Sequence, residues 1–519
     1  MSEIEALLLL MSATTLIVAV ARGIGIPYPI LLVLGGLAIG FIPGIPSIHL
    51  DPDYIFILIL PPILQSAAFL TPVRDLRAEI RPILSLSVGL VLITTCAVAG
   101  MAHWIVGGLS WPSAFVLGAV VSPPDAVAAT SVAERLRLPN RVVRILEGES
   151  LLNDATALVT YRVAVTAAVT GAFSLPHALG DFALAAAGGV LIGLASGWLI
   201  VQLLLRTRDG SVLIAISLLA PYGTYLVAEH LGASGVLAVV IEGLLMGRGY
   251  FRLTSARTRM QSLDFWDMFI FLLNGFVFIL IGVQLPDVLD GVADQQWPTL
   301  VFYAVAISLT AIVARIGWVV LTSDPRTLLR QHGFSCSTEA SRRELIVIAW
   351  AGMRGVVSLA AALALPSDLP GRDLIIFLTF AVILATLVGQ GLTLAPLIRS
   401  LGLGDQVEDD HEELYARLAI TRAARNRLDQ VADEEWALRE VVADLADHLD
   451  QRTHRLRTRE DANGSLDDVS AAFHRVRAEL IDAEMAEAFR LRDAGRINDT
   501  TLRKIQRELD IERLRLEHL

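Results

Sequence analysis

Val121-Ser122-Pro123-Pro124-Asp125-Ala126 interrupts an apolar run that extends over residues 112–132. Two consecutive prolines remove backbone donors and obstruct a helix, so we expect the helix to break at this point. If the run spans a membrane, the break frees carbonyl groups and the N-terminus of a half-helix for an ion. The stretch therefore predicts a broken membrane helix that builds an ion site, or else a structural proline kink satisfied by neighbouring helices.

The composition around this stretch is that of a polytopic membrane protein. The chain has 519 residues, of which 54% are hydrophobic and 18% charged, far too apolar for an ordinary soluble enzyme. Since about 20 apolar residues cross the hydrocarbon core, the sequence predicts 13 spans in an all-α fold. They lie near residues 4–20, 29–46, 53–70, 83–106, 112–132, 145–168, 178–205, 211–229, 233–247, 265–284, 298–322, 345–365 and 374–398.

Charge divides the chain into two predicted domains. The net charge is −11, and residues 401–519 hold 28 Asp and Glu against 19 Lys and Arg. We therefore predict a membrane domain over 1–400 and a helical tail over 401–519, which the stretch at 462–465 divides into two helices with Ser465 as an N-cap. The tail charges indicate solvated helix faces or a regulatory or dimerising role. Neither part has the cationic excess of a nucleic-acid-binding surface.

Arginines predict the orientation of the chain in the membrane. Alternate loops hold most of the arginines of the membrane part, whereas the loops between contain mainly aspartates and a single cation, Arg372. Because cytoplasmic loops are enriched in Lys and Arg, we expect the N-terminus outside and the tail in the cytoplasm. The Arg-rich loops include Arg74, Arg77 and Arg81, then Arg135, Arg137, Arg141 and Arg144, then Arg248, Arg252, Arg257 and Arg259.

The sixth span contains the densest polar cluster of the membrane part, Leu146-Glu147-Gly148-Glu149-Ser150-Leu151-Leu152-Asn153-Asp154-Ala155. Ser150 lies one helical turn from Asn153 and Asp154, so all three side chains reach one cavity. Their oxygen atoms suit an alkali or alkaline-earth cation rather than a soft metal. The carboxylate can hold a cation or a proton but not both. The alternative is that Asp154 only pairs with an arginine to join helices.

Glu149 and Arg354 are predicted to form a separate ion pair, because a guanidinium in the middle of a membrane needs a carboxylate partner. Spacing along the chain does not determine which acid reaches Arg354. Arg315 and Arg162 lie nearer the ends of their spans, and we expect both to extend toward the membrane surface. Glu242 in the ninth span has no partner that the sequence identifies.

Other chemistries fit the sequence less well. The two cysteines, Cys96 and Cys336, are too isolated for a disulfide framework or a metal cluster. Histidines before the tail fall in loops or near span ends, and the sequence has no P-loop for ATP. An aspartyl protease could use Asp125 and Asp154, but Asn153 and the two prolines are better suited to binding a cation. We therefore expect no enzymatic activity and no cofactor.

The same residues resemble those of the monovalent cation:proton antiporter-1 family, the bacterial sodium/proton exchangers related to animal exchangers. Three segments are similar over roughly residues 1–400. They are residues 122–126 on the broken span, residues 147–154 on the next, and Gly352-Met353-Arg354-Gly355 late in the membrane domain.

The resemblance implies a 13-helix domain with inverted repeats, a dimerisation part and a mobile core, elevator-like alternating access, and a homodimer. It implies that Asp154 carries both the cation and the proton, with Ser150 and the backbone around Pro124 completing the site. Asn153 and Asp125 would fix the crossing of broken helices, and Glu149 and Arg354 would form the core ion pair. The Asn153-Asp154 pair implies electroneutral exchange.

Two positions differ from the family pattern. Pro124 stands where many relatives have threonine, so a hydroxyl ligand is missing. Gln65 in the third span stands where relatives often have glutamate, which removes a titratable group.

The sequence therefore predicts a plasma-membrane antiporter that exchanges one Na⁺ for one proton at Asp154. A K⁺/H⁺ antiporter of the same fold is the main alternative, and Li⁺ is a further candidate cargo. A cation channel or a membrane sensor that signals through the tail is less favoured. The expected partners are these ions, the lipid bilayer and a second copy of the chain.

Overall fold

Helices are the only regular secondary structure among the residues that the structure describes. It is a computed structural model and describes residues 3–24, 27–42, 55–136, 138–171, 174–207, 209–323, 339–403, 408–432, 434, 437–461, 467–494, 496 and 499–517. The chain divides into two compact units, Met1–Gln406 and Val407–Leu519. The all-helical class is confirmed, whereas an exchanger domain with a regulatory tail stays a prediction.

Among the first four predicted spans, the second corresponds to a short helix and the third and fourth contain a π-helical turn. They are α1 Glu3–Ile24, α2 Tyr28–Gly40, the π-helical segment Ile55–Ile59 leading into α3 Leu60–Leu70, then α4 Val73–Ala78, α5 Ile80–Leu84, the π-helical segment Ser85–Leu90 and α6 Val91–Ile105.

The middle of the unit begins with a broken span and continues with long helices. The fifth span consists of α7 Trp111–Val121 and α8 Ala126–Arg135. The helices that follow are α9 Asn140–Thr170, α10 Leu175–Arg206, α11 Gly210–His230, α12 Gly235–Leu253, α13 Ala256–Val283, α14 Leu285–Asp290 and α15 Trp297–Ser323.

The last two spans are also irregular. The twelfth consists of α16 Glu339–Trp350 and α17 Val356–Leu363, separated by five residues outside any helix. The thirteenth consists of α18 Arg372–Leu384, the π-helical segment Ala385–Gln390 and α19 Gly391–Leu401. Seven helical segments among the described residues are long and apolar enough to cross a membrane. The count of 13 crossings stays a prediction.

The helices α10 and α15 present apolar side chains outward, as expected of surfaces in contact with lipid. The side chains of Leu184, Leu191 and Trp198 on α10 are 64–73% exposed. Phe302 and Val320 on α15 are similarly exposed. Such rows of exposed apolar side chains are rare on soluble monomers. They support the membrane assignment.

The described residues of the tail unit form four helices where the sequence predicted two. They are α20 Glu408–Val431, α21 Arg439–Asp461, α22 Asp467–Asp493 and α23 Asp499–Glu517. The predicted division at 462–465 falls between α21 and α22, while two further interruptions were missed. Ser465, Arg137 and Cys336 lie outside the described residues.

Candidate cation and proton site

The first break in the chain lies between α7 and α8, at the prolines that predicted it. Residues 122–125 leave the helix, and α8 begins at Ala126. The Ser122 hydroxyl donates a hydrogen bond to the Ala119 carbonyl oxygen at 3.0 Å, which holds the end of α7. The Pro124 carbonyl is no longer used by a helix, so it is available to side chains from neighbouring helices.

Two side chains of α9 bind the backbone of this break. The Asn153 amide donates a hydrogen bond to the Pro124 carbonyl oxygen, with 2.8 Å between the atoms. The Ala126 N–H donates to the Ser150 hydroxyl oxygen at 3.4 Å. Asn153 is completely buried, so this amide replaces the hydrogen bond that a continuous helix would have made.

A second break separates α16 from α17 at residues 351–355. Its sequence signal is a pair of glycines rather than prolines. A Cβ atom at Gly352 would collide with the Arg315 side chain, and one at Gly355 would collide with the Asp125 carboxylate. Both positions therefore need glycine because another polar group approaches the backbone there.

Asp125 joins the two breaks. Its N–H donates to the Met353 carbonyl oxygen at 2.7 Å. Its carboxylate accepts from the Val127 N–H at 2.8 Å and from the Val356 N–H at 3.4 Å. One carboxylate therefore caps the N-termini of both α8 and α17, where the helix dipoles favour negative charge.

Asp154 is the site carboxylate without such partners. It is 6% exposed and lies close enough to Asp125 for the two carboxylates to repel each other. Within the described part of the chain, no donor hydrogen-bonds to Asp154 and no cation pairs with it. Asp125 is held by backbone amides, so Asp154 is the acid that is available to bind a ligand.

The structure corrects the predicted core ion pair. Glu149 is paired with Arg315, whose Nη1 and Nη2 lie 2.5 and 2.8 Å from the two carboxylate oxygens. Both side chains are 1–2% exposed, so Arg315 does not extend to the membrane surface as predicted. Its Nε and Nη2 also donate to the Ile348 carbonyl oxygen at the end of α16. Arg315 was missed because spacing along a sequence does not show which helices are neighbours.

Arg354 lies beside this pair without joining it. Its backbone N–H donates to the Thr386 hydroxyl at 3.1 Å. Its side chain is buried and interacts electrostatically with both Arg315 and Glu149, but its Nε and Nη1 make no hydrogen bond. The predicted Glu149–Arg354 pair is therefore wrong as a hydrogen-bonded contact.

Arg162 also has a partner, at the other end of α9. Its Nη2 lies 2.6 Å from an oxygen of Glu229 on α11, and the two side chains are 48% and 25% exposed. The second Glu229 oxygen accepts from the Gly235 N–H at 3.2 Å. This pair is accessible to solvent, unlike Glu149 and Arg315.

The site consists of hard oxygen donors around one carboxylate, Asp154, that has no hydrogen-bond donor among the described residues. Within reach of the two breaks are carboxylates, a hydroxyl, an amide oxygen and backbone carbonyls. The described residues contain no cluster of three His, Cys, Asp or Glu side chains that could hold a metal ion. Oxygen donors of this type suit alkali cations. A carboxylate among them also binds protons.

Interrupted helices that meet around buried carboxylates are the architecture of secondary transporters. The chain belongs to the family described as "Sodium/hydrogen exchanger, transmembrane", whose model matches residues 9–400. This result confirms the family that the sequence motifs resemble.

Similar proteins come from several bacteria. The chain is 35% identical over 501 residues to an uncharacterised Na⁺/H⁺ exchanger of Mycobacterium tuberculosis, which covers 94% of this chain and 91% of the relative. It is 34% identical over 406 residues to the Na⁺/H⁺ antiporter ApNhaP of Aphanothece halophytica, covering 78% and 74%. It is 33% identical over 428 residues to a sodium, potassium, lithium and rubidium/H⁺ antiporter of Bacillus pumilus, covering 79% and 63%.

The fold is similar to that of a solved antiporter. The structure of the sodium proton antiporter MjNhaP1 from Methanocaldococcus jannaschii at pH 8 matches with a TM-score of 0.61 and 22% identity. The match covers 77% of this chain and 98% of the other. It supports the fold assignment independently of the sequence motifs.

Proposed function

We propose that the chain exchanges a monovalent cation, in the first place Na⁺, for a proton by competition at Asp154. The observation that carries the proposal is the buried Asp154 carboxylate beside the two breaks, which has no hydrogen-bond donor or cationic partner among the described residues. A cation and a proton would each neutralise this acid, so binding of one excludes the other. The names of the relatives support Na⁺ as cargo, and the Bacillus relative supports K⁺ and Li⁺ as further candidates.

The arrangement favours electroneutral exchange of one cation for one proton. Asp125 is engaged by backbone amides, and Asn153 is a neutral amide bound to the Pro124 carbonyl. Glu149 is paired with Arg315. Of the carboxylates at and beside the two breaks, Asp154 is therefore the one left to exchange ions, which favours one positive charge in each half-cycle.

The cellular setting is part of the proposal. The distribution of arginines supports a plasma-membrane protein with its N-terminus outside and its tail in the cytoplasm. The exposed apolar faces of α10 and α15 support contact with lipid and with a second copy in a homodimer. The two broken spans are seven spans apart in the predicted order, which supports inverted repeats and alternating access. We expect no enzymatic activity.

The test uses purified protein in sealed vesicles that contain a pH-sensitive dye. Adding Na⁺, K⁺ or Li⁺ in turn, with the membrane potential clamped and then free, should give a Na⁺-driven pH change that is insensitive to potential. Asp154→Asn should abolish the signal, whereas Asp264→Asn, which removes an exposed acid from α13, should retain it.

Other results of this assay would replace the proposal. A response to K⁺ alone would keep the mechanism and change the cargo. Sodium flux that needs no proton gradient would indicate a channel. No response to any cation, in protein that is folded, would favour a sensor that acts through the tail. Exchange by Asp154→Asn at the wild-type rate would show that another residue carries the ion.

A further inference from the structure

A second buried carboxylate lies outside the candidate site. Glu242 on α12 and Gln65 on α3 are 0% and 1% exposed. The Gln65 amide Nε2 donates to Glu242 Oε1 at 3.3 Å. The Thr224 hydroxyl on α11 faces the same carboxylate. Three helices therefore contribute polar side chains to one point in the membrane unit.

Two oxygen atoms at this point have no donor. Glu242 Oε2 and Gln65 Oε1 are both buried and make no hydrogen bond. If Glu242 is ionised, both atoms are acceptors, and neither can satisfy the other. A proton on Oε2 converts that atom into a donor, and Gln65 Oε1 is a buried acceptor of the contacting side chain that lacks one. Acid and amide then form a pair with a hydrogen bond in each direction.

The surroundings favour a proton over a metal cation. The neighbouring apolar cluster includes Leu64, Ala68 and Val239, which provide no further ligands. A Cβ atom at Gly243 would lie only 2.9 Å from the Gln65 carbonyl oxygen, so α3 and α12 touch at this level. Glu242, Gln65 and Thr224 offer four side-chain oxygens in total, fewer than the about six that hard cations usually require.

The charged groups on the neighbouring helices are concentrated elsewhere. The described part of α3 has no titratable side chain. On the other packed elements the titratable groups of the sequence are His177, Asp181 and Arg206 of α10, Tyr222, Tyr225, Glu229 and His230 of α11, Arg248, Tyr250 and Arg252 of α12, and Arg141, Arg144, Glu147, Glu149, Asp154, Tyr161 and Arg162 of α9. Glu229 is paired with Arg162, and Glu149 with Arg315. Neither arginine of these pairs neutralises Glu242.

We propose that Glu242, together with Gln65 and Thr224, forms a second proton-binding site that is separate from Asp154. The ligand of this site is a proton, and Glu242 is the neutral acid when it contacts Gln65. The site borders α9, because Leu151, three residues before Asp154, packs in the same apolar cluster.

Infrared difference spectroscopy on the full-length protein tests the proposal directly. Spectra are recorded at a pH at which exposed carboxylates are ionised, so that the carbonyl band of a protonated carboxylic acid reports buried acids. The Asp154→Asn variant, which removes the acid of the cation site, should retain such a band. The double variant Asp154→Asn with Glu242→Gln should lose it. Glu229→Gln in place of Glu242→Gln is the matched control and should leave the band unchanged.

Three results would overturn the assignment. An unchanged band in the double variant would show that Glu242 is ionised. If adding Na⁺ removes the band from the spectrum of the Asp154→Asn variant, Glu242 belongs to a cation site instead. Gln65→Leu should move the band to higher frequency because the acid loses its acceptor, and an unmoved band would contradict the acid–amide pair. None of these results depends on transport, so failure of the exchange assay leaves the test valid.

Discussion

At the scale of single residues, two ion pairs of α9 differ in their environment. Glu149 and Arg315 are almost completely buried, whereas Arg162 and Glu229 are partly exposed. Removing one partner of a buried pair leaves an uncompensated charge and costs about 3–5 kcal/mol. Exposed pairs contribute about 0–1 kcal/mol because water screens them. The two pairs should therefore respond differently to the same substitution.

Arg315→Met should lower the free energy of unfolding by about 3–5 kcal/mol, because Glu149 is left buried without its bidentate partner. Thermal unfolding of the detergent-solubilised protein measures this change. Arg162→Met is the control and should change the stability by about 1 kcal/mol or less. A large loss of stability for Arg354→Met, combined with no loss for Arg315→Met, would instead support the Glu149–Arg354 pair that the sequence predicted.

Asn153→Ala should destabilise the protein by about 1–3 kcal/mol, because the Pro124 carbonyl is left buried without a donor. The same change should raise the half-saturating concentration of Na⁺ in the vesicle assay, since the first break is released beside Asp154. Asn274→Ala, a buried amide on α13, serves as the comparison. Wild-type affinity for Na⁺ in Asn153→Ala would contradict the positioning role.

The sequence predicts contacts between site residues only where these residues share a helix. Asp154, Asn153 and Ser150 could be grouped from helical spacing because they lie on one element. The partner of Glu149 could not, because Arg315 and Arg354 lie on different helices and both reach the region around it. The pairing of Glu242 with Gln65 was missed for the same reason, since it depends on how α3 and α12 pack.

At the scale of elements, the site is built from the ends of half-helices. The breaks are held together by Asp125, which binds backbone amides of α8 and α17 and donates to Met353. Prolines predicted the first break from the sequence. The second was harder to recognise from residues alone, because glycine is also common inside membrane helices.

Gly355→Ala should impair exchange at least tenfold while leaving the helical content unchanged, because the added methyl group displaces the Asp125 carboxylate from α17. Vesicle transport and circular dichroism measure the two effects. Gly317→Ala on α15 is the matched control, since no atom lies within 4 Å of its added Cβ. Equal transport by both variants would show that Asp125 does not need to approach residue 355.

At the scale of the whole molecule, the membrane unit and the tail are separate compact units. The sequence predicts a boundary at residue 400, because hydropathy changes abruptly near residue 405, and the compact units divide after Gln406. It could not give the number of tail helices, since short charged helices and their connections have similar compositions.

A chain that ends at residue 406 should retain cation-driven proton exchange in vesicles, because all the residues proposed to bind ions lie before that point. Initial rates at several pH values, measured beside the full-length chain, provide the comparison. A change in the pH dependence with exchange retained would assign regulation to the tail. If the truncated protein loses exchange but unfolds at the same temperature as the full chain, part of the transport machinery lies in the tail.

The bond between Asp125 and Val356 also has a consequence for biosynthesis. The two residues are 231 positions apart in the chain. Ribosomes add about 5–20 residues each second, so the first break waits roughly 10–50 seconds for the segment that completes it. During this interval Asp125 and the prolines are already in or near the bilayer without α17. The Asp125 carboxylate therefore has only the α8 amide to cap until residue 356 has been synthesised.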